Sequence, residues 1–232
     1  MNIAIIPARG GSKRIPRKNV RPFCGRPMIS WSIQAAQACG LFDRVLVSTD
    51  CPEIGRVAED YGASVPFMRP AELSDDHTPT IPVVRHAIDV VLQQGHAIDH
   101  VCCVYATAPF IRTSDLLQGH AKLVDDDQLE FVVSVTEFAF PVQRALTAKG
   151  NCVEMIWPEH ELTRSQDLPP AWHDAGQFYW GRPDAFQRRD GFFNARTAAV
   201  ILPAHRVVDI DTPDDWTRAE MMFLASRGVS AA

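Results

Sequence analysis

Directly after a short apolar run, Asn2–Pro7, the chain reads Ala8-Arg9-Gly10-Gly11-Ser12-Lys13-Arg14-Ile15-Pro16-Arg17-Lys18-Asn19. Adjacent glycines let a backbone turn tightly and aim N–H groups at one spot, which suits phosphate oxygens. Arg9, Lys13 and Lys18 add charge of the matching sign. The segment is neither a Walker loop, GxxxxGK[ST], nor a dinucleotide fingerprint, GxGxxG, so a P-loop ATPase and a nicotinamide dehydrogenase both lose support. The plain alternative is a glycine turn with incidental charge.

Near the other end, Asp209 and Asp211 alternate with Val208 and Ile210. If Arg206–Ile210 is a strand, its period of two puts both carboxylates on one face. Two neighbouring carboxylates repel, and a divalent cation is their natural partner. Oxygen ligands beside a phosphate chain favour Mg²⁺. Alternatively, Asp211 only precedes a helix cap and Asp209 is solvated. Asp50, ahead of Cys51-Pro52, is equally a site residue or a helix start and is left out of the candidate set. Arg69, before Pro70, reads on its own as a surface turn. The eight histidines are read as structural or surface residues; His173, beside Asp174, is the one to test.

Charge is distributed unevenly. Residues 1–42 hold seven Lys/Arg and no acid, whereas the rest holds 16 basic and 28 acidic residues, a net of −12. One basic segment in a mildly acidic chain fits a small polyanion and not a long nucleic acid, which is met by a basic stripe and a high pI. A solvated basic loop is the alternative. With 232 residues, 46% hydrophobic, the chain suits one domain with a real core. It has no run of 18 uncharged apolar residues, no signal-like start and no CxxC among its six cysteines, so it reads as a reduced, cytoplasmic protein without a membrane span. Cys102-Cys103 is read as buried thiol.

Those candidate residues need elements to hold them. Periodicity and stop signals predict helices over Pro27–Cys39, Pro52–Tyr61, Thr80–Gln94 and Ser114–Val124, and one opening at Pro213 with Thr212 as N-cap. Strands are predicted over Asn2–Pro7, Arg44–Thr49, Ser64–Phe67, His100–Tyr105, Phe131–Val135, Gln177–Trp180, Ala198–Leu202 and Arg206–Ile210. Alternation of strands and helices implies βαβ units and a mainly parallel sheet covered on both faces. The pattern breaks over residues 137–176, rich in proline, which reads as an arm or lid inserted into one domain spanning 1–232.

The string Ile5-Ile6-Pro7-Ala8-Arg9-Gly10-Gly11-Ser12-Lys13-Arg14-Ile15-Pro16-Arg17-Lys18-Asn19 resembles the signature of the CMP-nonulosonic (CMP-sialic) acid synthetase family of cytidylyltransferases. The resemblance continues through Val47–Asp50, Arg69–Leu73, Thr107–Pro109 and Asp209–Thr212, and so covers nearly the whole chain. Ser12–Pro16, Tyr105–Phe110 and His173–Trp180 are most similar to the pseudaminic acid cytidylyltransferase branch. Arg14 and Tyr105 depart from the sialic acid branch, which has Gly and Gln at those positions.

The resemblance implies a three-layer α/β, Rossmann-like nucleotide-diphospho-sugar transferase fold with an inserted dimerisation arm. It implies transfer of CMP from CTP to a nonulosonic acid, most similar to pseudaminic acid, with release of pyrophosphate, in building cell-surface glycans or glycosylated flagellin. Sialic, legionaminic or Kdo acid as acceptor would keep the fold; a non-catalytic nucleotide-binding regulator is the alternative of another class. On this reading Ala8, Arg9, Gly10, Gly11, Ser12, Lys13, Lys18, Asn19 and Arg69 bind CTP. Asp209 and Asp211 hold Mg²⁺, and Arg9, Lys13 and Asp211 act in catalysis. Gln166, Asp167, Gln177 and Tyr179 hold the sugar. Phe178 is also a core residue by alternation. The expected partners are the two substrates and a second copy of the chain.

Overall fold

The computed structural model describes residues 1–228. Strand β1 (Asn2–Pro7) leads into the basic loop, a minimal hairpin β2 (Pro22–Phe23) and β3 (Arg26–Pro27), and helix α1 (Met28–Ala38). Then follow β4 (Arg44–Ser48), α2 (Pro52–Asp60), α3 (Thr80–Gln93), β5 (His100–Val104), α4 (Thr113–Asp125) and β6 (Phe131–Glu137). An excursion carrying the hairpin β7 (Leu146–Lys149) and β8 (Cys152–Met155) returns to β9 (Trp172–Gly181), α5 (Pro183–Arg188), β10 (Thr197–Ile201) and α6 (Pro213–Gly228).

Six strands form the main sheet in the order β10-β6-β9-β5-β1-β4. All run parallel except β9, which pairs antiparallel with both β5 and β6. The expected mainly parallel α/β architecture is therefore present. The strand β1 reads almost continuously apolar because both of its faces are covered. Ala4 and Ile6 pack into one core cluster and Ile3 and Ile5 into the other, on the opposite face. Cys102 and Cys103 divide the same way and are fully buried, and burial raises both thiol pKa values. Glycine is needed where α4 crosses β9, because a Cβ on Gly119 would lie 2.7 Å from the Trp180 ring.

A third cluster matters more for function. Ile15 from the basic loop, Phe23 from the small hairpin, Trp31 from α1, Ile210, and Trp216 and Phe223 from α6 pack together. Phe23 meets Trp216 and Phe223 edge-on at 5.5 and 5.4 Å between ring centroids. Apolar burial in this cluster joins the first twenty residues to the last twenty described. It therefore sets the basic loop beside the Asp209–Asp211 segment.

Three expectations are corrected. Arg206–Ile210 is not a strand: Ala204–Arg206 form a 3₁₀ turn, and 207–211 are irregular, without a ladder partner. The Val208/Ile210 alternation is real, but it packs those side chains into the third cluster and not onto a sheet. Ser64–Phe67 is reduced to isolated bridges of Ser64 with Leu46 and Met68 with Thr49. The arm is shorter than 137–176, because β6 extends to Glu137 and β9 begins at Trp172. That proline-free stretch of β9 pairs with Val135–Glu137 beyond a bulge. The cap at Thr212 forms as expected: its hydroxyl accepts from the Asp215 amide at 3.2 Å, and Asp215 accepts from the Thr212 amide at 2.9 Å.

The 207–211 segment is fixed at its start by a buried ion pair. Both nitrogens of the Arg206 fork donate to Asp115, at 2.6 and 3.1 Å, and each residue is 6% exposed. Asp115→Ala would strand a buried guanidinium, so we expect a loss of about 3–5 kcal/mol, measured by urea denaturation. A loss smaller than that of an exposed pair would remove this anchor from the account.

Candidate active site

Two cavities open side by side at the carboxyl ends of β1 and β5, where open α/β sheets bind ligands. The first, about 310 Å³, is lined by Arg9, Ser12, Lys13, Arg14, Lys18 and Asn19 of the loop, together with Arg69, Thr78, Thr80 and Asp211. The second, about 460 Å³, is lined by His173, Asp174, Tyr179, Val208, Asp209 and Arg218, among others. Tyr105 and Thr107 border both.

The loop is held by ionic contacts from distant segments. The Gly10 amide donates to Asp50 at 2.8 Å, and the Asn19 side chain donates to the Arg9 carbonyl at 2.9 Å. Arg9 donates to the Asp75 carbonyl at 2.8 Å and to Asp76 at 2.6 Å, and Lys13 donates to the other Asp76 oxygen. These donors hold the Asp76 carboxyl below its ordinary pKa. Asp211 is bracketed by Arg14 at 2.8 Å and Lys18 at 3.4 Å, and Lys18 also donates to the Ile210 carbonyl at 2.8 Å.

The expectation for the paired glycines changes in detail. Gly10 is needed for close approach, since its Cβ would lie 2.9 Å from Cys51 Cβ, while Gly11 faces open space. The Gly10 amide already serves Asp50, so side-chain cations line the first cavity where two converging amides were expected. Ala8 is 1% exposed, and its amide donates to the Ser48 carbonyl; it continues β1 and does not border the cavity. Asn19 is buried and acts as a brace for the loop as well as a wall of the cavity.

Arg69 stands apart from the other cations. Its side chain is 4% exposed, 3.8 Å from Asp50, and its Nε and Nη2 have no hydrogen-bond partner. Burial lowers its pKa; Asp50 opposes the shift and Arg9 adds to it. A buried charge with unmet donors at the wall of a basic cavity is chemically suited to an anion.

Asp209 opens onto the second cavity and Asp211 onto the first, so the two do not share a face as the strand reading implied. They are still close enough to interact. Desolvation raises the Asp209 carboxyl pKa, Asp211 and Asp215 raise it further, and Lys18 and Arg14 oppose them. Among the described residues, no group of three or more His, Cys, Asp or Glu gathers as a metal cage.

The expected sugar residues are scattered. Tyr179 backs the second cavity with its hydroxyl donating to Asp174 at 2.6 Å; burial, Tyr105 and Asp174 all raise its pKa. Gln177 is 3% exposed and spends its amide on the Arg206 carbonyl at 2.6 Å, so it supports the Asp209 segment from below and borders neither cavity. Gln166 lines a third cavity of about 360 Å³ within the arm, and Asp167 is paired with Arg164 at 2.7 Å. That cavity shares no lining residue with the other two. Sequence reasoning missed Asp76 and Asp174 and passed over Asp50. One signal was available: a +7 segment without an acid must draw its counter-charges from elsewhere in the chain.

The cytidylyltransferase family profile matches residues 3–222. The chain belongs to the cytidylyltransferase family. It is 45% identical over 223 residues to a pseudaminic acid cytidylyltransferase of Campylobacter jejuni, 96% of each chain. It is 30% identical to the CMP-N,N'-diacetyllegionaminic acid synthase of Legionella pneumophila, covering 95% of each. A solved CMP:2-keto-3-deoxy-manno-octonic acid synthetase complexed with CTP superposes with a TM-score of 0.71 at 17% identity, over 97% of this chain and 99% of that one. This cytidylyltransferase thus has the fold of that structure and is a nucleotidyltransferase. No described helix is long and apolar enough to cross a membrane.

A carboxyl whose pKa is raised in the fold costs stability when it ionises, so stability falls as pH rises through the unfolded and then the folded pKa. Asp209→Asn removes that cost. We expect the variant to be slightly more stable than wild type at neutral pH, the two converging as pH falls through the carboxylate range. Because Asp209 is open to solvent, the gain is small. Chemical denaturation at several pH values checks it; lower stability of the variant at neutral pH would contradict the electrostatic account.

Proposed function

We propose that this cytidylyltransferase transfers CMP from CTP to a nonulosonic acid, pseudaminic acid first, releasing pyrophosphate. The observation that carries this reading is the first cavity: Arg9, Lys13, Arg14, Lys18 and buried Arg69 converge there, and two of Arg69's donors are unmet. The 45% identity to a pseudaminic acid cytidylyltransferase supports the choice of acceptor. In the free chain Asp76 neutralises Arg9 and Lys13. The triphosphate takes its place, bringing more negative charge to the same donors. The acceptor occupies the second cavity, and the α-phosphorus lies at the seam by Tyr105 and Thr107.

The anomeric hydroxyl attacks the α-phosphorus in line. The new O–P bond forms as the bond to the β-phosphate oxygen breaks, and pyrophosphate leaves. Arg9 and Lys13 neutralise charge on the leaving group, stabilisation of the kind that dominates phosphoryl and nucleotidyl transfer. The hydroxyl proton passes to one of the carboxylates beside the seam, Asp209 or Asp211. The residues present fit a Mg²⁺ ion: two carboxylates within mutual influence, only oxygen donors, and substrate phosphates to complete the shell. Asp211 and Asp209 would hold it, and when bound it would polarise the phosphate oxygens as a Lewis acid. The intact loop and aspartates argue against a non-catalytic nucleotide-binding regulator.

The arm supports a homodimer. Phe140 is 83% exposed and Leu162 93%, with Leu146, Val153, Ile156 and Trp157 also exposed on the same excursion. Such apolar surface on one segment marks an interface. In that arrangement Gln166 and Asp167 would serve the partner's acceptor cavity, which their separation from their own allows. A cytoplasmic place in the cell fits a biosynthetic enzyme with free cysteines. Static light scattering at micromolar concentration is expected to give twice the chain mass; a monomer would remove the arm's proposed role.

Pyrophosphate release from CTP and pseudaminic acid, followed against Mg²⁺ concentration, tests the reading directly. Lys13→Ala is expected to lose at least about tenfold in kcat/KM, from a charge-assisted hydrogen bond of about 1.5–3 kcal/mol. Asp211→Asn is expected to lose most turnover while CTP still binds through residues 8–19, with Asp209→Asn milder. Full wild-type activity in excess chelator would refute the metal role, and unchanged CTP kinetics in Lys13→Ala would refute the phosphate cradle.

A further inference from the structure

Of the two residues that border both cavities, Tyr105 and Thr107, the aromatic one has no role in the mechanism above. Tyr105 follows β5, and its side chain borders the first cavity on one side and the second on the other. Its backbone is fixed twice: the amide donates to the Gln177 carbonyl at 2.9 Å, and the carbonyl accepts from the Ser32 hydroxyl at 2.7 Å. The phenol is fixed too. Its oxygen lies 3.0 Å from the Thr80 hydroxyl at the start of α3, and its ring sits 5.3 Å from the Tyr179 ring, tilted by 50°.

Three features give this residue a direction. The hydroxyl is already engaged by Thr80, a protein partner that lines the first cavity. Opposite the ring stands Gly176, in the left-handed region at φ +60°, where an added Cβ would already touch the ring at 3.9 Å. No side chain at 176 therefore covers the ring on its second-cavity side. Tyr179, the neighbouring aromatic, is 1% exposed, whereas Tyr105 is only half-buried and borders the second cavity. An aromatic face suits the C–H face or a methyl group of a pyranose, since both bury apolar surface without demanding a hydrogen bond.

We propose that Tyr105 is a specificity-determining residue for the acceptor: its ring is the wall on which the sugar rests, and its hydroxyl, tied to Thr80, holds that wall in place and does not read the base. This rests on the reading of the two cavities as nucleotide and acceptor compartments. Burial raises the phenol's pKa, in keeping with a neutral hydroxyl that serves structure.

The test separates the substrates. CTP affinity is measured by calorimetry without acceptor, and acceptor KM by pyrophosphate release with pseudaminic acid at saturating CTP. In Tyr105→Ala we expect acceptor KM to rise by about tenfold or more, a cost in line with losing apolar contacts in a specificity pocket, while CTP affinity stays within about threefold. Tyr105→Phe restores the ring and is expected to bring acceptor KM back to within about threefold of wild type. If Tyr105→Ala does not fold, Tyr105→Leu, which keeps bulk and loses the aromatic face, is expected to show the same split. Equal weakening of CTP and acceptor, or an unchanged acceptor KM, would overturn the proposal alone. A wild-type enzyme that turns over no nonulosonic acid would overturn the acceptor reading, and the proposal with it.

Discussion

Seven positive charges and no negative ones in the first 42 residues set a problem that the fold must solve. Like charges at this density repel, and a loop carrying them stays ordered only when acids arrive from elsewhere. The sheet delivers those acids by topology. Asp50 comes from the end of β4, Asp76 from the loop before α3, Glu53 from α2 to pair with Arg17, and Asp211 from the stretch before α6. Each lies near the carboxyl end of the sheet, which a parallel arrangement turns toward a single rim. The ionic order of the loop is thus a consequence of strand direction, and the apolar cluster joining Ile15 to Ile210 keeps the last acid within reach.

The same arrangement leaves the site under tension. Arg69 is buried with donors unmet, and Asp209 has its charge opposed by desolvation and by its neighbour Asp211. Both features work against the stability of the empty protein. Both would be relieved by the ligands proposed for the site, an anion beside Arg69 and a cation beside the aspartates. The Arg206–Asp115 pair and the Gln177 amide supply the rigidity that holds the aspartate segment without a strand ladder. Arg206, Asp115 and Gln177 hold that segment without lining either cavity.

Much of the architecture was legible from local pattern. Strands such as Asn2–Pro7 and His100–Val104 announce themselves because burial on both faces demands an unbroken apolar run. Proline and the acids after Thr212 marked the start of α6. What misled was alternation at Val208 and Ile210: period two reports that every second residue is buried, and a packed aromatic cluster satisfies it as well as a sheet does. The direction of β9 was hidden because hydrogen bonding by an antiparallel neighbour leaves no trace in side-chain type. Of the site, the basic loop and both aspartates could be read directly, since their chemistry is local. Asp76, Asp174 and the double duty of Tyr105 could not, because each depends on partners dozens of residues away. Gln177 was a sugar contact by resemblance; its burial and its hydrogen bond to the Arg206 carbonyl give it a supporting place that sequence does not show.

The central place of β9 governs how the chain must assemble. β6 touches the rest of the sheet only through β9 and β10, both of which follow it in sequence. During synthesis, the β4-β1-β5 half can pair as soon as it emerges, while β6 waits with no neighbour until residues 172–181 and 197–201 exist. The arm is made in that interval. Its exposed apolar residues are therefore present while a core strand is still unpaired, the state in which large α/β chains are most open to misassociation. Closing the sheet late also gives it a high share of non-local pairing and hence slow folding. The lining of the first cavity from Pro7 to Thr107 belongs to the half that can pair early, whereas Asp211, with Asp209 of the second cavity, joins it only after the late strands have closed the sheet.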